Sequence, residues 1–304
     1  MKKRAQVKKQ PGKRRKNRVK GLPIPKLMYQ DPSFMESLPA RPLRILAEYL
    51  DPLARLRQEN IGDTIVMFGS ARVQSREKAL AQLHALQNKA PKKRTPEWRS
   101  KITAARSLLH MSRYYEEARE LSHRITSWAM TLGNEPRRFV ICSGGGPGIM
   151  EAANRGASEA GGPSVGLSIQ LPHEQSSNPY ISPELNFYFH YFFMRKLWFA
   201  HLARALVVFP GGFGTLDELT EILTLAQTRK LDSPIPVILY GSAYWKEIIN
   251  FDALVRYGMI SPEDLKLFEF ADTPQSALAV LKARLVPDGD DATPHIAHSA
   301  SAER

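Results

Sequence analysis

Two carboxylates one helical turn beyond a glycine-rich bend form the stretch of this chain best equipped for chemistry, Pro210-Gly211-Gly212-Phe213-Gly214-Thr215-Leu216-Asp217-Glu218. It follows the apolar run Ala205 to Phe209, which reads as a buried strand. It precedes Leu216 to Thr228, where Leu219, Ile222, Leu223 and Ala226 recur at helical spacing. The glycines Gly211, Gly212 and Gly214 let the backbone turn tightly and approach a ligand. A helix start aims free N–H groups at that ligand and favours phosphate. Asp217 and Glu218 have no place in a pocket built for phosphate alone, so the pattern suggests a phosphorylated sugar with chemistry beside the phosphate. The same residues also spell a capping box, with Thr215 as N-cap and Glu218 closing back on it.

The elements that would position this stretch alternate between strand and helix. Asp63 to Phe68 is an expected strand ending in Gly69-Ser70-Ala71-Arg72, and Phe139 to Cys142 is another, ending in Ser143-Gly144-Gly145-Gly146-Pro147-Gly148. Further strands are expected at Ser164 to Ile169, Leu185 to Phe189, Pro236 to Tyr240 and Leu267 to Phe270. Helices are expected from Gly148 to about Ala160, Phe192 to Leu202, Ser242 to about Tyr257 and Thr273 to Leu285. Residues 75–132 read as a long helical insertion broken at Ala90 to Pro96. This rhythm predicts a doubly wound, Rossmann-like α/β fold with a mostly parallel sheet, helices on both faces and an N-terminal helical extension. Such sheets bind ligands beyond the carboxyl ends of their strands. That edge collects the loops at Ser70, at Gly145 and Gly146, and at Gly211 to Thr215. The Ser143 to Gly148 loop is neither a G-x-G-x-x-G dinucleotide fingerprint nor a Walker loop, yet it could hold a single phosphate.

The net charge of +13 would suit a nucleic-acid binder, but eleven Lys or Arg and no acid fall within residues 1–20. The folded part is nearly neutral, so any weak nucleic-acid contact is expected through the basic tail, residues 1–21. Residues 22–59 read as an extension with a short helix from Leu43 to Leu56, residues 60–286 as the main domain and residues 287–304 as a polar tail. The lone cysteine, Cys142, permits no intramolecular disulfide and reads as core. The N-terminus shows no secretory pattern, no apolar run reaches the roughly 18 residues of a spanning helix, and a cytoplasmic protein is expected. The histidines show no metal-ligand spacing, and neither metal nor cofactor is expected. The rings Tyr188, Phe189, Tyr191, Phe192 and Phe193 divide between core and a surface that could stack on a purine or line a dimer contact.

Taken together, Gly69-Ser70-Ala71-Arg72, Gly144-Gly145-Gly146-Pro147-Gly148-Ile149-Met150-Glu151, Met194-Arg195-Lys196 and the Pro210 to Glu218 motif resemble the LOG family over roughly residues 60–285. The resemblance implies a phosphoribohydrolase: an N-glycosidase splitting a nucleoside 5′-monophosphate, AMP or a cytokinin ribotide, into free base and ribose 5-phosphate. It implies Arg195 and Glu218 as the catalytic pair, with Gly211, Gly212, Gly214 and Thr215 as the phosphate loop and Lys196 beside the arginine. Ser70, Gly145, Gly146 and Met194 join the expected substrate-binding set, with Asp217 as an auxiliary acid. Phe192-Phe193-Met194-Arg195-Lys196 departs from the short members, which carry a histidine before the arginine, and looks like the longer branch with nucleotide nucleosidases. A homodimer is expected. Chemically, Glu218 would stabilise an oxocarbenium-like sugar and orient water, while Arg195 would stabilise the departing base or hold the phosphate. The rival reading is a nucleotide sensor that uses the same pocket without turnover.

Overall fold

Apolar runs alternating with amphipathic helical segments build a single all-parallel sheet. The structure, a computed structural model, describes residues 24–91, 94–133, 135–171, 176–231 and 235–286. The basic tail at 1–21 and the polar tail at 287–304 lie outside the described residues. The chain divides into two compact units, Met1–Arg44 and Ile45–Arg304. In the first, helix α1 (Pro32–Met35) is capped by Asp31, whose carboxylate accepts from the Ser33 N–H. Arg44 there donates to the carbonyls of Met35 and Ser37.

From helix α2 (Arg41–Gln58) onward the order is β1 (Thr64–Phe68), α3 (Arg76–Asn88), α4 (Pro96–Met130), β2 (Val140–Ser143), α5 (Ile149–Glu159), β3 (Ser164–Ile169), β4 (Asn186–Phe189) and α6 (Phe192–Leu202). The second half runs β5 (Ala203–Val208), α7 (Phe213–Gln227), β6 (Val237–Tyr240), α8 (Ser242–Ile248), α9 (Phe251–Arg256), β7 (Phe268–Ala271) and α10 (Pro274–Leu285). The spatial strand order is β4-β3-β2-β1-β5-β6-β7, with every pair parallel. Winding proceeds outward from β1 in one direction and then restarts at β5 in the other. The switch point therefore lies between β1 and β5, where doubly wound sheets open a crevice.

Because side chains alternate across a strand, each strand feeds two cores. Ile65 and Met67 of β1 and Ala205 and Val207 of β5 join Tyr115, Leu121 and Ile125 of α4 and the small face Ala152, Ala153 and Ala157 of α5. Val66, Phe68, Leu206 and Val208 point to the other side, against Leu56 of α2, Met194, Trp198 and Phe199 of α6, Leu219 of α7 and Trp245 of α8. The sheet is thus covered on both faces.

Two sequence expectations change. The helix read from Ser242 to Tyr257 is interrupted: α8 stops at Ile248, and Asn250 caps a separate α9 by accepting from the Ala253 N–H. Asn at that position competes for the backbone and restarts the helix. Thr215 is not the N-cap. Gly212 takes that position and α7 begins at Phe213, three residues earlier than the apolar spacing indicates. The aromatic run splits as β4 alternation demands, with Phe189 and Tyr191 in the core and Tyr188, Phe192 and Phe193 exposed.

Candidate active site

At the carboxyl edge of the switch point the β1 and β5 chain ends continue side by side. Phe209 donates its N–H to the Phe68 carbonyl and Ser70 donates to the Pro210 carbonyl at 3.0 Å, so the loops after both strands are joined. The third loop closes on them through the Ile149 N–H, which donates to the Ser70 carbonyl at 3.1 Å. Gly148 makes that contact with φ of +72°, and a Cβ there would lie 2.3 Å from the Ser70 oxygen. Only glycine fits that approach. A cleft of about 830 Å³ opens over the three loops.

The phosphate-type loop is shaped by Thr215. A Cβ on Gly211 would stand 2.0 Å from the Thr215 hydroxyl, so this glycine lets the strand end fold against the first turn of α7. From α8, the Tyr244 hydroxyl donates to the Gly211 carbonyl at 2.7 Å and the Trp245 indole donates to the Val208 carbonyl. No side chain caps α7 and its first turn carries no acid. Its leading N–H groups and the positive end of its dipole therefore serve whatever occupies the cleft.

Glu218 sits on the next turn of α7, 5% exposed, and Arg195 rises from α6 to meet it. Arg195 Nη2 donates to Glu218 Oε1 at 2.9 Å. The guanidinium also lies over the rings of Phe192 and Phe199, at 5.2 and 5.5 Å from their centroids. Burial raises the Glu218 pKa above its ordinary value; Arg195 and Lys196 pull it down, while Glu221 and Asp217 add to the rise. The pair therefore combines a carboxylate of enhanced basicity with a donor held against it. That is an arrangement for orienting water and stabilising charge.

The structure gathers Ser70, Arg195, Gly211, Gly212, Gly214, Thr215 and Glu218 on the cleft. It places other expected site residues elsewhere. Lys196 does not line the cleft: its Nζ is 2.8 Å from Asp217 Oδ2 and 3.0 Å from Glu221 Oε2. Burial opposes the lysine charge, but the two carboxylates outweigh it and leave the pKa raised. Asp217 is spent on this surface pair and also faces away from the cleft. Met194 is buried in the core, 5% exposed. Gly144 lines the cleft but Gly145 and Gly146 do not, and their carbonyls accept from the Asn178 amide. Asn178 also donates to Asn154, which accepts from the Ser143 hydroxyl, so a buried polar network holds this loop. Cys142 is buried, and desolvation pushes its thiol pKa up, away from nucleophilic use.

Several cleft residues come from segments whose local sequence carries no site signal. Leu108 and Met111 reach it from α4, Tyr244 and Ile248 from α8. Leu108 is half-buried yet belongs to none of the core clusters among the described residues. An apolar residue off the core face of α4 was the only available hint.

Comparison with known proteins agrees with the motif pattern. Residues 150–281 match the family model described as "Possible lysine decarboxylase". A probable cytokinin riboside 5′-monophosphate phosphoribohydrolase of Oryza sativa subsp. japonica is 30% identical over 156 residues, covering 51% of this chain and 62% of that protein. A cytokinin riboside 5′-monophosphate phosphoribohydrolase of Arabidopsis thaliana is 29% identical over 160 residues, covering 51% of this chain and 73% of that protein. This chain thus spans less than two thirds of the rice relative's length. Among solved structures, a molybdenum cofactor binding protein from Rippkaea orientalis covers 74% of this chain and 96% of its own at 16% identity, with a TM-score of 0.42. The stretch that matches the possible-lysine-decarboxylase family model, residues 150–281, carries Arg195, Glu218 and the Gly211 to Thr215 loop.

Proposed function

We propose that the protein is a nucleoside 5′-monophosphate phosphoribohydrolase acting on AMP or cytokinin ribotides. The observation that carries this reading is the buried Arg195–Glu218 pair set one turn beyond the uncapped α7 N-terminus. Phosphate at the helix start would bring the ribose against the pair. In the reaction the C1′–N bond breaks, a water oxygen bonds to C1′, and the base leaves with the electron pair and gains a proton. Glu218 orients the water, accepts its proton and stabilises the oxocarbenium-like sugar. Arg195 holds Glu218 in place and offers donors toward the charge that develops on the departing base.

The names of the rice and Arabidopsis relatives support the same reaction class. A decarboxylase working through a lysine Schiff base has less support. None of the described cleft-lining residues is a lysine, and such chemistry needs one. The test is incubation with AMP and with an isopentenyladenine ribotide, reading free base and ribose 5-phosphate by chromatography, with Glu218→Ala alongside. Release by the native protein and not by the variant is expected. Nucleotide bound without release across a panel of monophosphates would overturn the reading in favour of a sensor.

A further inference from the structure

The charges lining the cleft leave one cation unspent. Among the described lining residues, Arg72, Arg195 and Glu218 carry charge. Arg195 and Glu218 neutralise each other at 2.9 Å. Lys196, the neighbouring cation in sequence, is held outside the cleft by Asp217 and Glu221. Arg72 lines the cleft, is exposed, and has no carboxylate within ion-pair distance among the described residues. A phosphate monoester brings a charge of about −1.5 to −2 at neutral pH. The α7 N-terminus offsets only about half a unit of that. The Arg195–Glu218 pair, with no net charge, offsets none of it.

The backbone fixes where Arg72 departs. Its own N–H donates to the Ser70 hydroxyl at 3.1 Å, the Ser70 N–H donates to the Pro210 carbonyl, and the Ser70 carbonyl accepts from Ile149. Arg72 therefore leaves a segment tied directly to the loop that runs into Gly211 and Gly212. Arg72 lines the same cleft as the Phe213 to Thr215 turn.

We infer that Arg72 is the phosphate-binding cation of this cleft. It would face the α7 N-terminus across the phosphate and set the preference for phosphorylated over unphosphorylated sugars. Its planar fork can hold two phosphate oxygens at once, which a lysine cannot reproduce. The inference rests on the proposed function for the identity of the substrate, but its test reads binding alone.

The test is calorimetric titration of the full chain with ribose 5-phosphate, using the native protein, Arg72→Gln, Arg72→Lys and Lys196→Gln. Arg72→Gln is expected to raise the Kd by about ten- to a hundredfold, the loss of one charge-assisted contact. Arg72→Lys should recover part of that loss, and Lys196→Gln should stay within about threefold of native. Unliganded melting temperatures confirm that each variant is folded, and Arg72→Lys supplies the comparison should Arg72→Gln melt early. The inference is overturned by a folded Arg72→Gln that binds as the native protein does. It is equally overturned by Lys196→Gln losing as much as Arg72→Gln, or by a native protein that does not bind ribose 5-phosphate. Tight, Arg72-dependent binding without base release from any monophosphate would sink the hydrolase reading and leave the role of Arg72 standing.

Discussion

Breaking the Arg195–Glu218 pair from one side should cost more than removing both charges. The two side chains are 14% and 6% exposed and meet at 2.9 Å. In Arg195→Met, the buried Glu218 must either stay charged without its partner or take up a proton. Protonating a carboxyl of ordinary pKa 4.5 at pH 7 costs roughly 3.4 kcal/mol, at about 1.36 kcal/mol per unit, which sets a ceiling on the charge penalty. In Glu218→Gln, Arg195 has no such escape, and a loss of about 3–5 kcal/mol is expected. The double variant Arg195→Met/Glu218→Gln leaves no buried charge behind and should lie within about 1 kcal/mol of native. Urea denaturation at pH 7 measures all four corners of the cycle.

The sign with pH follows from the same pair. Losing Arg195 removes a contribution that lowers the Glu218 pKa, so the folded value rises further above the unfolded one. The folded variant then holds a proton that its unfolded state releases. Its stability is greatest below the unfolded pKa and is lost as pH rises toward the folded one. The Arg195→Met deficit should therefore shrink by up to roughly 2 kcal/mol between pH 7 and pH 5.5. Losses that simply add in the double variant, or a deficit indifferent to pH, would refute the view that this pair is a coupled buried unit.

Three further outcomes follow from the same geometry. Because burial lifts the Glu218 pKa, the acid limb of kcat/KM for base release should lie above pH 4.5 and disappear in Glu218→Gln; a limb at or below that value contradicts the assignment. Gly148→Ala places a methyl 2.3 Å from the Ser70 carbonyl oxygen at a positive φ, so a loss of at least about 2 kcal/mol in urea denaturation is expected, with weaker ribose 5-phosphate binding as the Ser70 loop shifts. Asn178→Ala strips donors from the carbonyls of Gly145 and Gly146 and from Asn154 Oδ1. It should cost about 1–3 kcal/mol and speed amide exchange across residues 144–148, and unchanged exchange there would count against the clamp.

The strand and helix pattern was legible because burial imposes local periodicities. The run at Ser164 to Ile169 reads as a strand buried on both faces, and the Phe192 to Leu202 segment as a helix, and both form with those bounds. The glycine turns were legible because a parallel strand feeding a helix demands tight, phosphate-sized bends. Helix starts were less legible. The apolar spacing locates the face of α7 but not the residue where Gly212 turns out of the strand, so Thr215 looked like a cap.

What the sequence determined by itself is local: which segments are strands, which turns are glycine-built, and that Glu218 follows a helix start by one turn. Tertiary structure alone decided that Arg195, 23 residues earlier, lies against Glu218. It also decided that Lys196, one residue on and about 100° around the same helix, faces Asp217 and Glu221 outside the cleft. Leu108 and Tyr244 likewise reach the cleft from helices whose own patterns encode only packing. The reason is the switch of winding between β1 and β5. It opens one crevice and assigns every neighbouring helix a side, through long-range strand pairing that no local spacing records.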